Sequence, residues 1–219
     1  MQAAPRGTVY GTLLNYRGAL AALGDAVHQP PYKAPPKAPV LYIKPANTWI
    51  GAGAPIPVPG DAEALQMGAA LGVVIGRTAC RVPLEAALDY VVGYTVVNDV
   101  SVPHDSYYRP SIRLKCRDGF CPIGTKIVDR ARVPDPDALT VRVFVDGALR
   151  QQNTTANLVR PTARLIADVT EFMTLSAGDI LLTGVPENAP LARAGQRVAI
   201  EIEGVGRLEN PLVAEGGDR

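Results

Sequence analysis

Charge excess, cysteine, aromatic side chains and long apolar runs are all scarce in this chain of 219 residues. Its 22 Lys and Arg are matched by 21 Asp and Glu, and the resulting formal charge of +1 lacks the basic excess of a nucleic-acid-binding surface. The longest apolar run, AALGVVI from Ala69 to Ile75, is far short of the roughly 20 residues that span a bilayer. The opening MQAAPRGTVYG has no apolar signal core. A soluble, cytoplasmic protein with neither a nucleic-acid nor a membrane partner is therefore expected. Cys80, Cys116 and Cys121 are odd in number and form no C-x-x-C, which argues against a disulfide framework and for reduced thiols.

What the chain has in quantity is punctuation. Its 21 Gly and 20 Pro fall between short Val, Ile and Leu runs, the pattern of a mostly β, α+β fold. Strands are expected over 8–13, 40–43, 69–75, 91–98, 139–145, 179–182, 197–202 and from 206 onward. Asp146-Gly147 between β-prone segments signals a hairpin. Tyr16 to Leu23 suits two helical turns ended by Gly24, and Pro83 to Leu88 a short helix. One longer helix should start near Pro161, because Leu165, Ile166, Val169, Phe172 and Met173 fall on one face. HQPPYKAPPKAP, residues 28–39, is too rich in proline for either regular element. It divides a small N-terminal segment, 1–39, from a body, 40–219, the two forming one structural unit. GAGAPIPVPG, residues 51–60, suits a loop carrying an edge strand.

Two places carry chemistry. Asp99 ends an apolar strand, where a buried carboxylate requires a cation or hydrogen-bond donors. It reads either as a metal ligand or substrate-orienting group, or as a carboxylate satisfied by a neighbouring lysine or by loop amides. SYYRPSIRLKCRDGF, residues 106–120, gathers Arg109, Arg113, Lys115 and Arg117 against one acidic residue, Asp118. Guanidinium forks hold carboxylates bidentately, so the loop suits a small polycarboxylate, with a solvated basic face as the alternative. Lys44 in YIKPAN can pair with a carboxylate at a strand edge. His28 and His104 stand isolated, as surface histidines do.

The stretches MGAALGVVIGRTA (67–79), GYTVVNDVS (93–101) and KCRDGFCPIG (115–124) together resemble the fumarylacetoacetate hydrolase family. The family's C/T-P-x-G is matched by Cys121, Pro122 and Gly124. YKAPPK, YYRP with K-x-R-D-G, and GALRQQNTTA narrow the resemblance to the branch that degrades 4-hydroxyphenylacetate, and within it to the N-terminal half or subunit of a bifunctional isomerase/decarboxylase. The resemblance runs from about Thr8 to Val213. It implies a mixed β-roll with a few flanking helices, Mg²⁺ or Mn²⁺ as cofactor, and two reactions. These are isomerisation of 2-hydroxyhepta-2,4-diene-1,7-dioate and decarboxylation of 5-oxopent-3-ene-1,2,5-tricarboxylate. The candidate catalytic groups are Lys115, Asp99 and Tyr16, and the candidate substrate-binding residues are Asn15, Arg109, Arg113, Arg117 and Gly184.

The departures from the family pattern are equally consistent. Gly68 and Ala70 stand where two metal-binding glutamates are usual, leaving Asp99 as the only metal ligand of an incomplete site. A hard divalent cation prefers several oxygen ligands and is held weakly by one carboxylate. The His and Glu that follow Asn15-Tyr16 in active members fall near Ala19 and Ala22, and the T-G-T-P threonine is Val185. The chain is therefore expected to pair with a homologous metal-bearing subunit that holds the cation, or with a second copy of itself, and to be slow or inert alone. A non-catalytic structural partner is one alternative. A metal-independent keto–enol tautomerase using Tyr16, Lys115 and Asp99 is another. If no metal binds, Lys115 is the group expected to neutralise Asp99.

Overall fold

The structure is a computed structural model describing residues 7–104, 106–108 and 111–216. In chain order its elements begin with β1 (Val9–Leu13), α1 (Arg17–Ala21), β2 (Val40–Lys44), β3 (Trp49–Ile50), β4 (Ile56–Val58) and β5 (Leu65–Gln66). Then come β6 (Ala69–Ile75), β7 (Val91–Asn98), α2 (Ile112–Lys115), β8 (Cys121–Pro122), β9 (Val128–Asp129), β10 (Thr140–Val145) and β11 (Ala148–Thr154). The chain closes with α3 (Thr162–Phe172), β12 (Ile180–Leu182), β13 (Leu191–Ala192), β14 (Arg197–Ile202) and β15 (Gly206–Ala214). Strands dominate and helices are few, a mixed α+β fold.

A six-stranded sheet runs β2-β1-β12-β6-β7-β9, antiparallel except where β1 lies parallel to β12. A five-stranded sheet runs β11-β10-β14-β15-β4, with β4 as a short parallel edge. The main core unites Leu71, Val73 and Ile75 of β6 and Tyr94 and Val96 of β7 with Val141, Val143 and Val145 of β10, Val198, Ile200 and Ile202 of β14, and helix α3. The other face of β6 is also covered: Ala70 and Val74 join Val9, Val97, Cys121 and Leu182 in a second cluster. Burial on both faces explains why β6 reads as an unbroken apolar run, whereas β10 alternates because only one face is covered.

The β10–β11 hairpin turns at Asp146-Gly147, both with positive φ (51° and 77°), as a two-residue I′ turn requires. Helix α3 buries Leu165, Ile166 and Val169 as its periodicity predicts. Phe172 departs from that expectation at 63% exposed. The helix stops there, the chain becomes extended at Met173, and Met173 packs against the core instead. Pro161 leaves the helix start without a local side-chain cap, and Asp137 supplies one from a distance, its Oδ1 accepting from Thr162 N (2.8 Å) and Oγ1 (2.6 Å). No helix among the described residues is long and apolar enough to cross a membrane.

Candidate functional site

Three elements meet at Asp99, just past the end of β7. Alternation along β2 sends Tyr42 and Lys44 to the same face, and Lys115 comes from the end of α2. Lys44 Nζ lies 2.8 Å from Asp99 Oδ1, and Lys115 Nζ 3.3 Å from Oδ2. Tyr42 donates its hydroxyl proton to Asp99 Oδ2, and the Lys115 ammonium stands 4.7 Å above the Tyr42 ring. Gly11 faces Tyr42 in the β1–β2 register, and a Cβ there would overlap the tyrosine ring. A glycine is thus what lets the ring lie across β1.

Lys44 is saturated: its three N–H donors face four oxygens, Asp99 Oδ1 and the carbonyls of Val100 (2.7 Å), Lys115 (2.7 Å) and Phe120 (2.9 Å). Burial opposes ionisation of Asp99, but the Lys115 and Lys44 charges and the hydrogen bonds from Lys44 and Tyr42 outweigh it, and its pKa falls to about 2. The same burial lowers Lys115 and, with the Asp99 charge, raises Tyr42 far above an ordinary phenol. Two ammoniums share one carboxylate, so one positive charge is in surplus at this point.

These residues do not fit a divalent cation. Asp99 already serves two ammoniums and a phenol, and among the described residues no three His, Cys, Asp or Glu side chains gather where a metal could sit. Nor has the backbone kept room for the usual glutamates. A Cβ on Gly68 would overlap the Asp99 carbonyl oxygen and come within 2.8 Å of a Val185 methyl. Ala70 is fully buried in the apolar cluster on the second face of β6, where a larger, charged side chain is costly to bury.

Above Asp99 and Lys115 opens a cleft of about 290 Å³. Thr12, Gln66, Gly68, Ser101, His104, Tyr107, Glu187 and Asn188 are among the residues that line it. Tyr32, from the proline-rich connector, accepts a hydrogen bond from Tyr107 N (2.8 Å) and so ties Tyr107 to the N-terminal segment. Ala19 and Ala22 also line the cleft. The volume suits a small ligand.

The residues singled out from sequence divide sharply. Asp99 and Lys115 come together on the cleft. Tyr16 does not line it: its hydroxyl is buried without a hydrogen-bond partner among the described residues, and burial, then Glu187 and Asp137, push its pKa far up. Asn15 is occupied as a latch, donating to the carbonyls of Arg160 (3.1 Å) and Thr183 (2.8 Å) and accepting from Arg160 N (2.9 Å). Gly184, at φ 114°, packs against Asn15 and Thr12. Arg117 forms a fork with Asp61 (2.6 and 2.9 Å), Arg113 lies 3.5 Å from the same carboxylate, and neither lines the cleft. Arg109 falls outside the described residues. Sequence reasoning missed Tyr42, Thr12, Gln66 and Glu187. The alternation in Tyr42-Ile43-Lys44 was the available signal for the first, and the place of Glu187 directly after Thr-Gly-Val-Pro for the last.

The fold is β-rich with an Asp-centred cleft at the end of a strand, and comparison with known proteins gives the family. The family model described as fumarylacetoacetate (FAA) hydrolase C-terminal matches residues 8–213. The 4-hydroxyphenylacetate degradation bifunctional isomerase/decarboxylase of Salmonella dublin is 45% identical over 96% of this chain and 48% of its own length. Among solved structures, 2-hydroxyhepta-2,4-diene-1,7-dioate isomerase from Mycobacterium marinum is 32% identical with a TM-score of 0.79, covering 97% of this chain and 76% of its own. Fumarylpyruvate hydrolase from Pseudomonas aeruginosa, in complex with Mn²⁺ and pyruvate, is 25% identical with a TM-score of 0.82, covering 94% and 89%. The chain belongs to the fumarylacetoacetate hydrolase family. It spans about half the length of the Salmonella relative, and by alignment this is the C-terminal half and not the N-terminal half expected from the sequence motifs.

Proposed function

We propose that the chain is a component of an isomerase/decarboxylase acting on 2-hydroxyhepta-2,4-diene-1,7-dioate and 5-oxopent-3-ene-1,2,5-tricarboxylate in aromatic catabolism, and that its own metal site is degenerate. The observation that carries this reading is the occupation of Asp99 by Lys44, Lys115 and Tyr42, with no space for a side chain at Gly68 and with Ala70 packed in an apolar cluster. Both reactions pass through an enolate beside a carboxylate, charge that a divalent cation stabilises when one is bound. In this chain the surplus charge of the lysine pair receives a substrate carboxylate at the cleft floor, and a homologous metal-bearing subunit supplies the cation. Assembly with such a subunit, or with a second copy where the chain is made alone, follows from that division.

The test is turnover of each acid by the purified chain alone and after mixing with a family member that carries both glutamates. The reading expects slow or no turnover alone and at least a tenfold gain on mixing. Full activity of the lone chain toward both acids would reverse it.

A further inference from the structure

Ala19 and Ala22 line the cleft near the places where the family resemblance implies a His and a Glu, yet a carboxylate reaches it from another element. Glu187 follows the turn after β12 and lines the cleft. Its Oε1 accepts from Asn153 Nδ2 (2.9 Å), and its backbone carbonyl accepts from Gln151 Nε2, so the side chain is held from behind by β11. Its Oε2 is buried and has no hydrogen-bond partner among the described residues. The carboxyl group rests against Gly18 of α1, where any Cβ would overlap it. Thr12, buried and lining the same cleft, also has a hydroxyl without a hydrogen-bond partner among the described residues. A buried carboxylate oxygen without a donor is costly, and that cost is relieved when a ligand brings a proton to it.

We infer that Glu187 is the proton carrier of this chain's own cleft, acting with the Lys115 ammonium that lines the same cleft in a keto–enol proton shift that needs no divalent cation. The inference rests on the reading above for its substrate, the 2-hydroxy-2,4-dienedioate. Lys115 holds charge on the enol end, and Glu187 takes the enol hydroxyl proton. The C–O bond becomes C=O, the remaining double bond shifts by one carbon, and the far carbon of the diene accepts a proton from Glu187, forming the new C–H bond. The proton removed is the proton returned, so product and substrate are isomers and no oxidant or reductant enters. Decarboxylation, which breaks a C–C bond and leaves a full carbanion charge, stays with the metal-bearing subunit. The slow isomerisation left to the lone chain is thus assigned to Glu187.

The experiment follows loss of the diene absorbance of 2-hydroxyhepta-2,4-diene-1,7-dioate with the purified chain in excess EDTA. The wild type should exceed the buffer rate. E187Q should lose at least tenfold in kcat with KM within twofold and an unchanged circular dichroism spectrum, and E187D should recover part of the loss. G18A, which displaces the carboxyl group without removing it, should also slow the reaction. E171Q, on the exposed side of α3, should match the wild type. An E187Q rate equal to the wild type overturns the inference. So does a lone chain no faster than buffer when its mixture with a metal-bearing homologue turns over, an outcome that leaves the broader functional reading standing. Failure of the mixture as well would sink both.

Discussion

Lys44 Nζ and Asp99 Oδ1 are 2.8 Å apart with side-chain exposures of 0% and 1%, so the ammonium and the carboxylate are sealed together beneath the cleft. Breaking a buried pair by removing one partner strands the other, at a cost of about 3–5 kcal/mol. Lys44→Met also deprives the Val100, Lys115 and Phe120 carbonyls of a shared donor. Urea unfolding of that variant should show a loss of at least about 3 kcal/mol. A change below 1 kcal/mol would mean the pair is not the buried anchor described here.

Stability should carry an acid limb from Asp99. Its folded pKa, about 2, lies below that of an unfolded aspartate. Its contribution is therefore fully present above about pH 4, the unfolded value, and lost as pH falls toward the folded one. The expected size is on the order of 2 kcal/mol. Chemical denaturation between pH 5 and pH 2.5 should show a shallower decline in Asp99→Asn, itself less stable at neutral pH, than in the wild type. Parallel declines would assign the limb to other carboxylates.

Restoring the two glutamates should not restore a metal centre. Gly68→Glu must move the Asp99 carbonyl or Val185, and Ala70→Glu buries a carboxylate in an apolar cluster. The double variant is expected to unfold at a lower temperature and to take up no stoichiometric Mn²⁺, as read by elemental analysis after gel filtration. A well-folded double variant with one Mn²⁺ per chain would show that the lysine pair yields readily to a cation.

Much of the scaffold was legible because its signals are local. The unbroken run of β6, the alternation of β10, the Asp146-Gly147 turn and the α3 periodicity each depend on neighbours in sequence. Asp99 and Lys115 could be paired in advance because a carboxylate at the end of a buried strand has few partners within a short loop. The guanidiniums could not be placed the same way. Arg113 and Arg117 read as cleft residues from their density, but Asp61 lies 56 residues before Arg117, and nothing local marks it as their partner. Tyr42 was hidden in a strand whose pattern is equally well explained by packing. Glu187 was hidden in a loop without periodicity, where only the fold reveals that its carboxylate turns inward. Asn15 shows the converse: a residue assigned to substrate by resemblance spends both of its amide donors and one acceptor site on the Arg160 and Thr183 backbone.

The central claim is that the charge of Asp99 is already spoken for by two lysines. Isothermal calorimetry of Mn²⁺ into the purified chain at neutral pH tests it most directly. The account predicts no saturable heat at millimolar cation, and the same result in Asp99→Asn. A tight, one-to-one isotherm in the wild type that vanishes in Asp99→Asn would contradict it.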